Sequence, residues 1–191
     1  MPRLLFITLL AFLSSPALAD WVLDNDASTL KFVTTKANLA AEVHSFGSLE
    51  GQVDGRGNAT ITIELDSVDT SIEIRDERMR EMLFETGRYP SATVAAKIDT
   101  AAIAAIEPGD RAPMVAEAQL LIRDTTVSLT LDMTVTRLTE SRLVVSSRAP
   151  VIVNAGQTGL AAGVEKLREV AGLPSISPAV PVTFELVFDR E

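Results

Sequence analysis

The chain offers few residues that could perform catalysis. It contains one histidine, His44, and no cysteine, which excludes thiol catalysis and cysteine-based zinc sites. A hydrolytic triad needs a nucleophile beside the imidazole, but no Gly-x-Ser-x-Gly elbow occurs, and in residues 47–51 the serine stands one place too early. We therefore predict no catalytic residue and no enzymatic activity, and we interpret His44 as a half-buried structural histidine.

A cluster of oxygen ligands near the start of the chain matches a calcium loop only in part. Asp24, Asp26 and Ser28 have the spacing of the first three ligands. The sixth and twelfth positions hold Thr29 and Thr35, where such a loop requires Gly and Glu. We predict a polar turn here and no metal site.

A charged run at residues 75–80 has two interpretations. Five of its six residues are charged. Such a run is often a solvated helix face with weak ion pairs. It could also line the mouth of a cavity and contact the polar head of a ligand. The residues alone leave both alternatives open.

Composition limits the class of protein. The chain has 191 residues, of which 47% are hydrophobic, so a single domain can bury a sizeable core without disulfides. The formal net charge is −9, a sign that repels phosphate backbones and argues against nucleic acid as a partner.

The first 19 residues have the pattern of a signal peptide. Arg3 precedes a mostly apolar run at residues 4–13, and Ala17-Leu18-Ala19 has the small-x-small spacing of a cleavage site. The run is shorter than the roughly 20 residues that span a bilayer. We predict cleavage after Ala19 and a single exported domain over residues 20–191.

Most of the remaining chain alternates between apolar and polar residues with a period of two. The clearest cases are residues 127–135 and 180–188. Further strands are predicted at residues 30–32, 41–46, 48–53, 59–65, 94–98, 114–122 and 143–153. Turn-forming residues at 54–57 and 123–126 indicate tight hairpins. These eight or nine strands indicate an antiparallel barrel or a sandwich, and we predict a mainly all-β fold, an eight-stranded antiparallel barrel.

Two segments depart from this period and predict short covering helices. In the first, Asp76 is placed as a helix cap, followed by an apolar stripe with Met79 and Leu83. The second spans residues 160–171 and ends at Gly172. Residues 99–113 are predicted to form a long loop, and whether residues 101–106 within it take regular structure is left open.

A family resemblance rests on motifs spread over the chain. The motifs are Trp21 with Asp24, Ser28-Thr29-Leu30-Lys31-Phe32, Phe46 with Gly51, Ser67-Val68-Asp69-Thr70, Arg75-Asp76, Phe84, Tyr89-Pro90, Gly159-Leu160, Val164–Leu167 and Val180-Pro181-Val182-Thr183-Phe184. Together they resemble the YceI-like family of exported polyisoprenoid-binding proteins. The stretch from Ser67 to Pro90 is the most specific part.

The resemblance implies a lipocalin-like barrel whose apolar lumen holds an isoprenoid chain, polyprenyl or quinone-like. A barrel of eight strands can instead be filled by its own side chains, so both states stay open. The residues predicted to line the lumen are Phe32, Ile61, Ile63, Val94, Leu129, Leu131, Met133, Phe184 and Leu186. The residues predicted to contact a polar head are His44, Arg75 and Arg123.

The expected function is that of a periplasmic protein that sequesters or carries an isoprenoid lipid, with no cofactor other than this ligand. The alternatives are a filled-core structural or stress-related interaction module and an enzyme acting on a lipid head group. Transient contact with a membrane and a dimeric state are left open.

Overall fold

The alternating segments of the sequence form the strands of one antiparallel sheet. The structure is a computed structural model that describes residues 21–37 and 39–191, so the signal peptide predicted at residues 1–19 lies outside the described residues. Within these residues there are twelve strands. They are β1 (Trp21–Leu23), β2 (Thr29–Lys36), β3 (Ala40–Phe46), β4 (Leu49–Val53), β5 (Asn58–Glu64), β6 (Val68–Asp69), β7 (Ser91–Lys97), β8 (Arg111–Ile122), β9 (Thr125–Thr139), β10 (Arg142–Ser147), β11 (Val151–Asn154) and β12 (Ala179–Arg190).

The sheet closes on itself as an eight-stranded barrel. Four of the barrel strands consist of two segments that follow each other in the chain: β1 with β2, β3 with β4, β5 with β6, and β10 with β11. The barrel closes because β12 pairs with β10 on one side and with β1 and β2 on the other. Closure removes most of the free sheet edges that invite aggregation, and of the described strands only the short β6 and β11 each pair on one side alone. The predicted eight-stranded antiparallel barrel, lipocalin-like and with short helices, is confirmed.

The core consists of two apolar clusters, one toward each end of the barrel. One cluster contains Leu23, Leu143 and Phe188. The other contains Phe32 and Phe84 and includes residues of the covering helices. Inward residues of β9 and β12 contribute to both clusters because the period of two sends alternate side chains into the barrel.

The hairpin between β4 and β5 forms at the predicted turn. The Asp54 carboxylate accepts hydrogen bonds from the backbone N–H groups of Arg56 and Asn58, each at 2.9 Å. Gly57 has φ +80°, and a Cβ there would lie 2.1 Å from the Ile98 carbonyl oxygen. Only glycine fits this turn without distortion.

Three α-helices complete the fold: α1 (Glu73–Arg78), α2 (Thr100–Ala104) and α3 (Ala161–Val170). A π-helical segment, Met79–Phe84, continues α1. The prediction that Asp76 caps the first helix is wrong. Asp76 lies inside α1 and is buried, and its carboxylate accepts a hydrogen bond from the Thr70 N–H at 2.9 Å. Among the described residues, no helix has the length and hydropathy needed to span a bilayer.

The predicted long loop at residues 99–113 contains α2 and the start of β8. Asp99 caps α2 by accepting hydrogen bonds from Ala101 N and Ala102 N at 3.0 and 3.1 Å. Five residues give too short a window for a helical period to show. The helix is held by tertiary contacts, because Ile103 is buried in the cluster with Phe188 and Arg137 donates to the Ala104 carbonyl.

The strand predicted at residues 143–153 is divided into β10 and β11. Pro150 stands just before β11 and has no N–H to donate to a neighbouring strand. Arg148 N donates to the Asp132 carbonyl at 2.9 Å and is the last residue of this strand bonded to β9. Beyond it, β11 pairs only with β12.

Candidate functional site: an apolar cavity inside the barrel

The barrel encloses a cavity of about 390 Å³ that extends along its interior. Trp21 and Phe188 lie on its wall at the α2 end, and Leu83 and Leu160 lie on it at the end covered by α1 and α3. Nearly the whole wall is apolar. This volume lies within the range of about 300–1,000 Å³ typical of small-molecule sites.

All nine residues predicted to line the lumen lie on the cavity wall. They are Phe32, Ile61, Ile63, Val94, Leu129, Leu131, Met133, Phe184 and Leu186. Each belongs to the inward-facing set of its strand, which the alternation of the sequence identifies. Their contact with a ligand stays a prediction.

The covering helix α3 adds residues that the lumen prediction did not include. Leu160, Val164, Leu167 and Ala171 lie on the wall. The sequence contained a signal for them, because these four positions form the apolar side of the helix predicted at residues 160–171.

The two covering elements touch each other directly. Gly163 of α3 packs against the π-helical segment, where a Cβ on Gly163 would lie 2.8 Å from both Leu83 Cα and the Met82 carbonyl oxygen. Because both of these atoms belong to the backbone, they cannot easily move aside for a larger residue. The absence of a side chain at Gly163 therefore sets how closely the two covers approach.

Charged residues on the described part of the wall occur only at the end covered by α1 and α3. They are Lys36, Arg75 and Arg78, and all three are cationic. The side chains of Lys36 and Arg75 are 21% and 23% exposed there, and we call this partly solvent-accessible end the mouth. The Glu42 carboxylate beside them binds Lys36 Nζ at 2.7 Å and also pairs with Arg75. The hydrogen bond from Lys36, aided by Arg75, holds the pKa of Glu42 below its usual range. Two of the three cations therefore already have a counterion.

The motif residues of the family resemblance position Arg75 at this mouth. Arg75 donates from Nε to Thr70 Oγ1 at 2.7 Å and from Nη2 to the Thr70 carbonyl at 2.6 Å. Thr70 is in turn fixed by the buried Asp76 carboxylate. The Ser67–Thr70 and Arg75-Asp76 motifs thus hold α1 against the barrel, and they place the predicted residue Arg75 on the cavity wall.

His44 also lies on the wall, and it is more deeply buried than the predicted half-buried histidine. The residue is 4% exposed because its side chain points from β3 into the barrel. Its Nε2 lies 2.9 Å from Thr34 Oγ1, and its ring centre lies 5.2 Å from that of Phe32. Nδ1 has no hydrogen-bond partner within the described part of the chain. Burial, aided by the nearby Arg75 charge, lowers the pKa of His44 below its ordinary value, so the imidazole is neutral at pH 7.

Arg123, the third residue predicted near a head group, is not brought to the cavity. It lies in the turn between β8 and β9 with φ +52°. Its guanidinium binds Glu85 at 2.9 Å and lies 5.3 Å from the centre of the Tyr89 ring. A turn residue at the end of a hairpin projects away from the lumen, which is why Arg123 forms an ion pair outside the cavity.

The incomplete calcium loop is the polar turn that the sequence predicts. Asp24 pairs with Arg142 at 2.6 Å, and Ser28 Oγ donates to the Asp24 carbonyl at 2.7 Å. The pKa of Asp24 is lowered chiefly by the hydrogen bond from Arg142. Within residues 21–37 and 39–191, no group of three or more His, Asp or Glu side chains is arranged to hold a metal ion.

Known proteins share this architecture. A family model described as YceI-like domain matches residues 21–188. A solved polyisoprenoid binding domain from Saccharophagus degradans, implicated in plant cell wall breakdown, is 36% identical with a TM-score of 0.87, over 90% of this chain and 98% of that chain. The comparison with curated proteins gives no match.

Two further solved structures resemble the chain in fold alone. BcnA from Burkholderia cenocepacia is 19% identical with a TM-score of 0.67, over 86% of this chain and 98% of its own. The YCEI protein of Campylobacter jejuni is 16% identical with a TM-score of 0.55, over 78% and 84%. The family model covers nearly all described residues, and the Saccharophagus domain matches most of the chain at 36% sequence identity. The chain belongs to the YceI-like family.

Proposed function

We propose that this protein binds an isoprenoid lipid, polyprenyl or quinone-like, in the barrel cavity and carries or sequesters it. The observation that carries the proposal is the unfilled apolar cavity of about 390 Å³, with polar groups confined to one end. A lipid with a long apolar tail and a small polar head matches that distribution. The relationship to a domain described as polyisoprenoid binding gives independent support.

Burial of the tail supplies enough free energy for binding. Removing a CH₂ group from water is worth about 0.8 kcal/mol, so an isoprene unit of five carbons contributes about 4 kcal/mol. Association costs about 4–15 kcal/mol in lost freedom of motion. A few buried units therefore offset that cost without any directional bond along the tail.

The cavity favours a carrier over the two alternatives. A filled-core interaction module has no use for an apolar cavity of this size, since unfilled apolar space is destabilising. An enzyme acting on a lipid head group needs an oriented acid or base at the cavity, but the His44 imidazole contacts Thr34 Oγ1, and the Glu42 carboxylate, 3.9 Å from its Nε2, is too far to orient it by a hydrogen bond. We propose binding, not catalysis.

The lipid is identified by extraction. The full chain, purified from its native host, is extracted with organic solvent and analysed by mass spectrometry, beside an unrelated exported protein purified in the same way. We expect an isoprenoid near one molecule per chain, absent from the control. A chain that carries no apolar molecule and takes up no added prenyl alcohol would support the filled-core module.

We further propose that the protein acts in the periplasm after cleavage following Ala19. The pattern of residues 1–19 supports this location. N-terminal sequencing of the protein from a periplasmic fraction should begin at Asp20. Recovery only from the cytoplasm, with residues 1–19 retained, would contradict the proposal.

A further inference from the structure

A polar pair interrupts the apolar wall just inside the mouth. Thr34 of β2 and His44 of β3 both lie on the cavity wall, with Thr34 Oγ1 and His44 Nε2 2.9 Å apart. Lys36 lies two residues farther along β2, about 7 Å toward the mouth at roughly 3.3 Å per residue. On the side of the pair away from Lys36, Phe32 is the next wall residue of β2, and the wall deeper in the barrel is apolar.

The surroundings of His44 determine which atom of the pair carries the proton. If the Thr34 hydroxyl donated to Nε2, the imidazole proton would sit on Nδ1, a buried N–H with no acceptor in the described chain. If Nε2–H donates to Thr34 Oγ1, Nδ1 is a bare acceptor. Buried N–H groups without an acceptor are rarer than incompletely satisfied acceptors. The second arrangement is therefore favoured.

In that arrangement the Thr34 hydroxyl proton is free to point into the cavity. Thr34 Oγ1 has no other hydrogen-bond partner among the described residues. The Glu42 carboxylate, on the residue of β3 that pairs with Thr34, is held by Lys36 and Arg75. Thr34 thus offers one hydrogen-bond donor to whatever occupies the lumen, with His44 fixing its orientation.

We propose that Thr34 is the head-group contact of the cavity and selects isoprenoids whose polar end is an uncharged oxygen acceptor, a hydroxyl or a carbonyl. This inference rests on the proposed function. The tail then lies along the apolar wall toward Trp21, and the oxygen lies one layer inside the mouth. An anionic head would instead have to compete with Glu42 for Lys36 and Arg75, which leaves Arg78 as the one wall cation without a counterion among the described residues.

The test uses a substitution that removes the hydroxyl and keeps the shape. Thr34→Val replaces the donor by a methyl group, and Thr35→Val makes the same change at the next residue, whose side chain points to the opposite face of β2. Both variants and the wild-type chain are titrated with farnesol, with the hydrocarbon farnesene and with farnesyl phosphate. The alcohol-to-hydrocarbon affinity ratio within each protein cancels differences in stability.

We expect the wild-type chain to bind the alcohol about fivefold more tightly than the hydrocarbon, the central value for one net hydrogen bond between neutral groups. Thr34→Val should bring the ratio to one or below, because the buried alcohol then has no hydrogen-bond partner, and Thr35→Val should leave the ratio unchanged. His44→Phe should reduce the ratio through the orientation of Thr34.

Three outcomes would overturn the inference while leaving the proposed function in place. A wild-type ratio near one means that the Thr34 hydroxyl is not used. A ratio unchanged by Thr34→Val assigns the head-group contact elsewhere. Tighter binding of the phosphate than of the alcohol, unaffected by Thr34→Val, shows an anionic head held by the cations. If none of the three ligands binds to any protein, the proposed function itself fails, and this inference with it.

Discussion

Placing a charge in the middle of the lumen tests whether the cavity holds a tail. Leu131 lies in the inward row of β9 between Leu129 and Met133, across from Ala116 of β8. The charged residues of the described wall lie at the mouth, so a carboxylate at position 131 has no partner among them. In the empty cavity water can solvate Leu131→Asp, but a bound tail displaces that water.

The expected loss of affinity follows from protonation. Neutralising an aspartate at pH 7 costs about 4 kcal/mol, from a pKa near 3.9 at about 1.36 kcal/mol per pH unit. Losing the leucine contact adds about 1.5–3 kcal/mol. The sum, about 6 kcal/mol, corresponds to a roughly 10⁴-fold weaker affinity at pH 7. At pH 5 protonation costs only about 1.5 kcal/mol, so the affinity of the variant should be about 100-fold higher at pH 5 than at pH 7.

The assay is the titration of a prenyl alcohol at both pH values, with folding checked by circular dichroism. Leu131→Asn is the control without a titratable group and should show no recovery at pH 5. Ser128→Asp places the same charge on the exposed face of β9, next to Gln119, and should bind like the wild-type chain. A folded Leu131→Asp variant that binds within threefold of wild type at pH 7, or equally weakly at both pH values, refutes the reasoning.

Three further predictions concern the scaffold. Gly163→Ala should lower the Tm by a few degrees and speed ligand release. Overpacking against Leu83 costs about 1–3 kcal/mol, whereas the better helix propensity of alanine returns only about 1 kcal/mol. A higher Tm would contradict the contact between the covers. Stability of the ligand-free protein should fall as the pH drops below about 6.5, because the lowered pKa of folded His44 lets the unfolded chain take up the proton first. Urea unfolding at pH 7.5 and 5.5 measures this, and His44→Phe must lose part of the pH dependence. Arg137→Met removes the hydrogen bonds to the end of α2 and should lower the free energy of unfolding by about 1–3 kcal/mol. Hydrogen exchange should become faster in α2 and change little in the rest of the barrel. Unchanged exchange in α2 would mean that contacts other than those of Arg137 hold this helix.

The barrel could be predicted from sequence because one face of each strand is buried. In β9 and β12 the alternation is nearly complete, and it assigns residues such as Leu131 and Phe184 to the lumen without any knowledge of pairing. The same parity would have placed Thr34 and Lys36 on the wall, since they follow Phe32 at intervals of two. They were missed because a polar residue at an inward position looks like the end of a strand.

Other features depend on contacts between residues distant in the chain. Asp76 has the residue type of a helix cap, but α1 already begins at Glu73, and the Asp76 carboxylate binds the earlier residue Thr70 instead. Arg123 is a basic residue near predicted lumen strands, yet the turn directs it toward Glu85. Neither outcome is encoded in the local spacing of residues, because each depends on where another segment lies after folding.

The position of Trp21 makes its intrinsic fluorescence a probe of how deeply a ligand enters the barrel. It is the single tryptophan of the chain, and it lies on the cavity wall at the end remote from Lys36 and Arg75. Indole emission responds to its immediate surroundings, so it would report only molecules that penetrate the full depth of the barrel. A series of ligands of increasing length would leave the emission unchanged until the terminal methyl groups come into contact with Trp21.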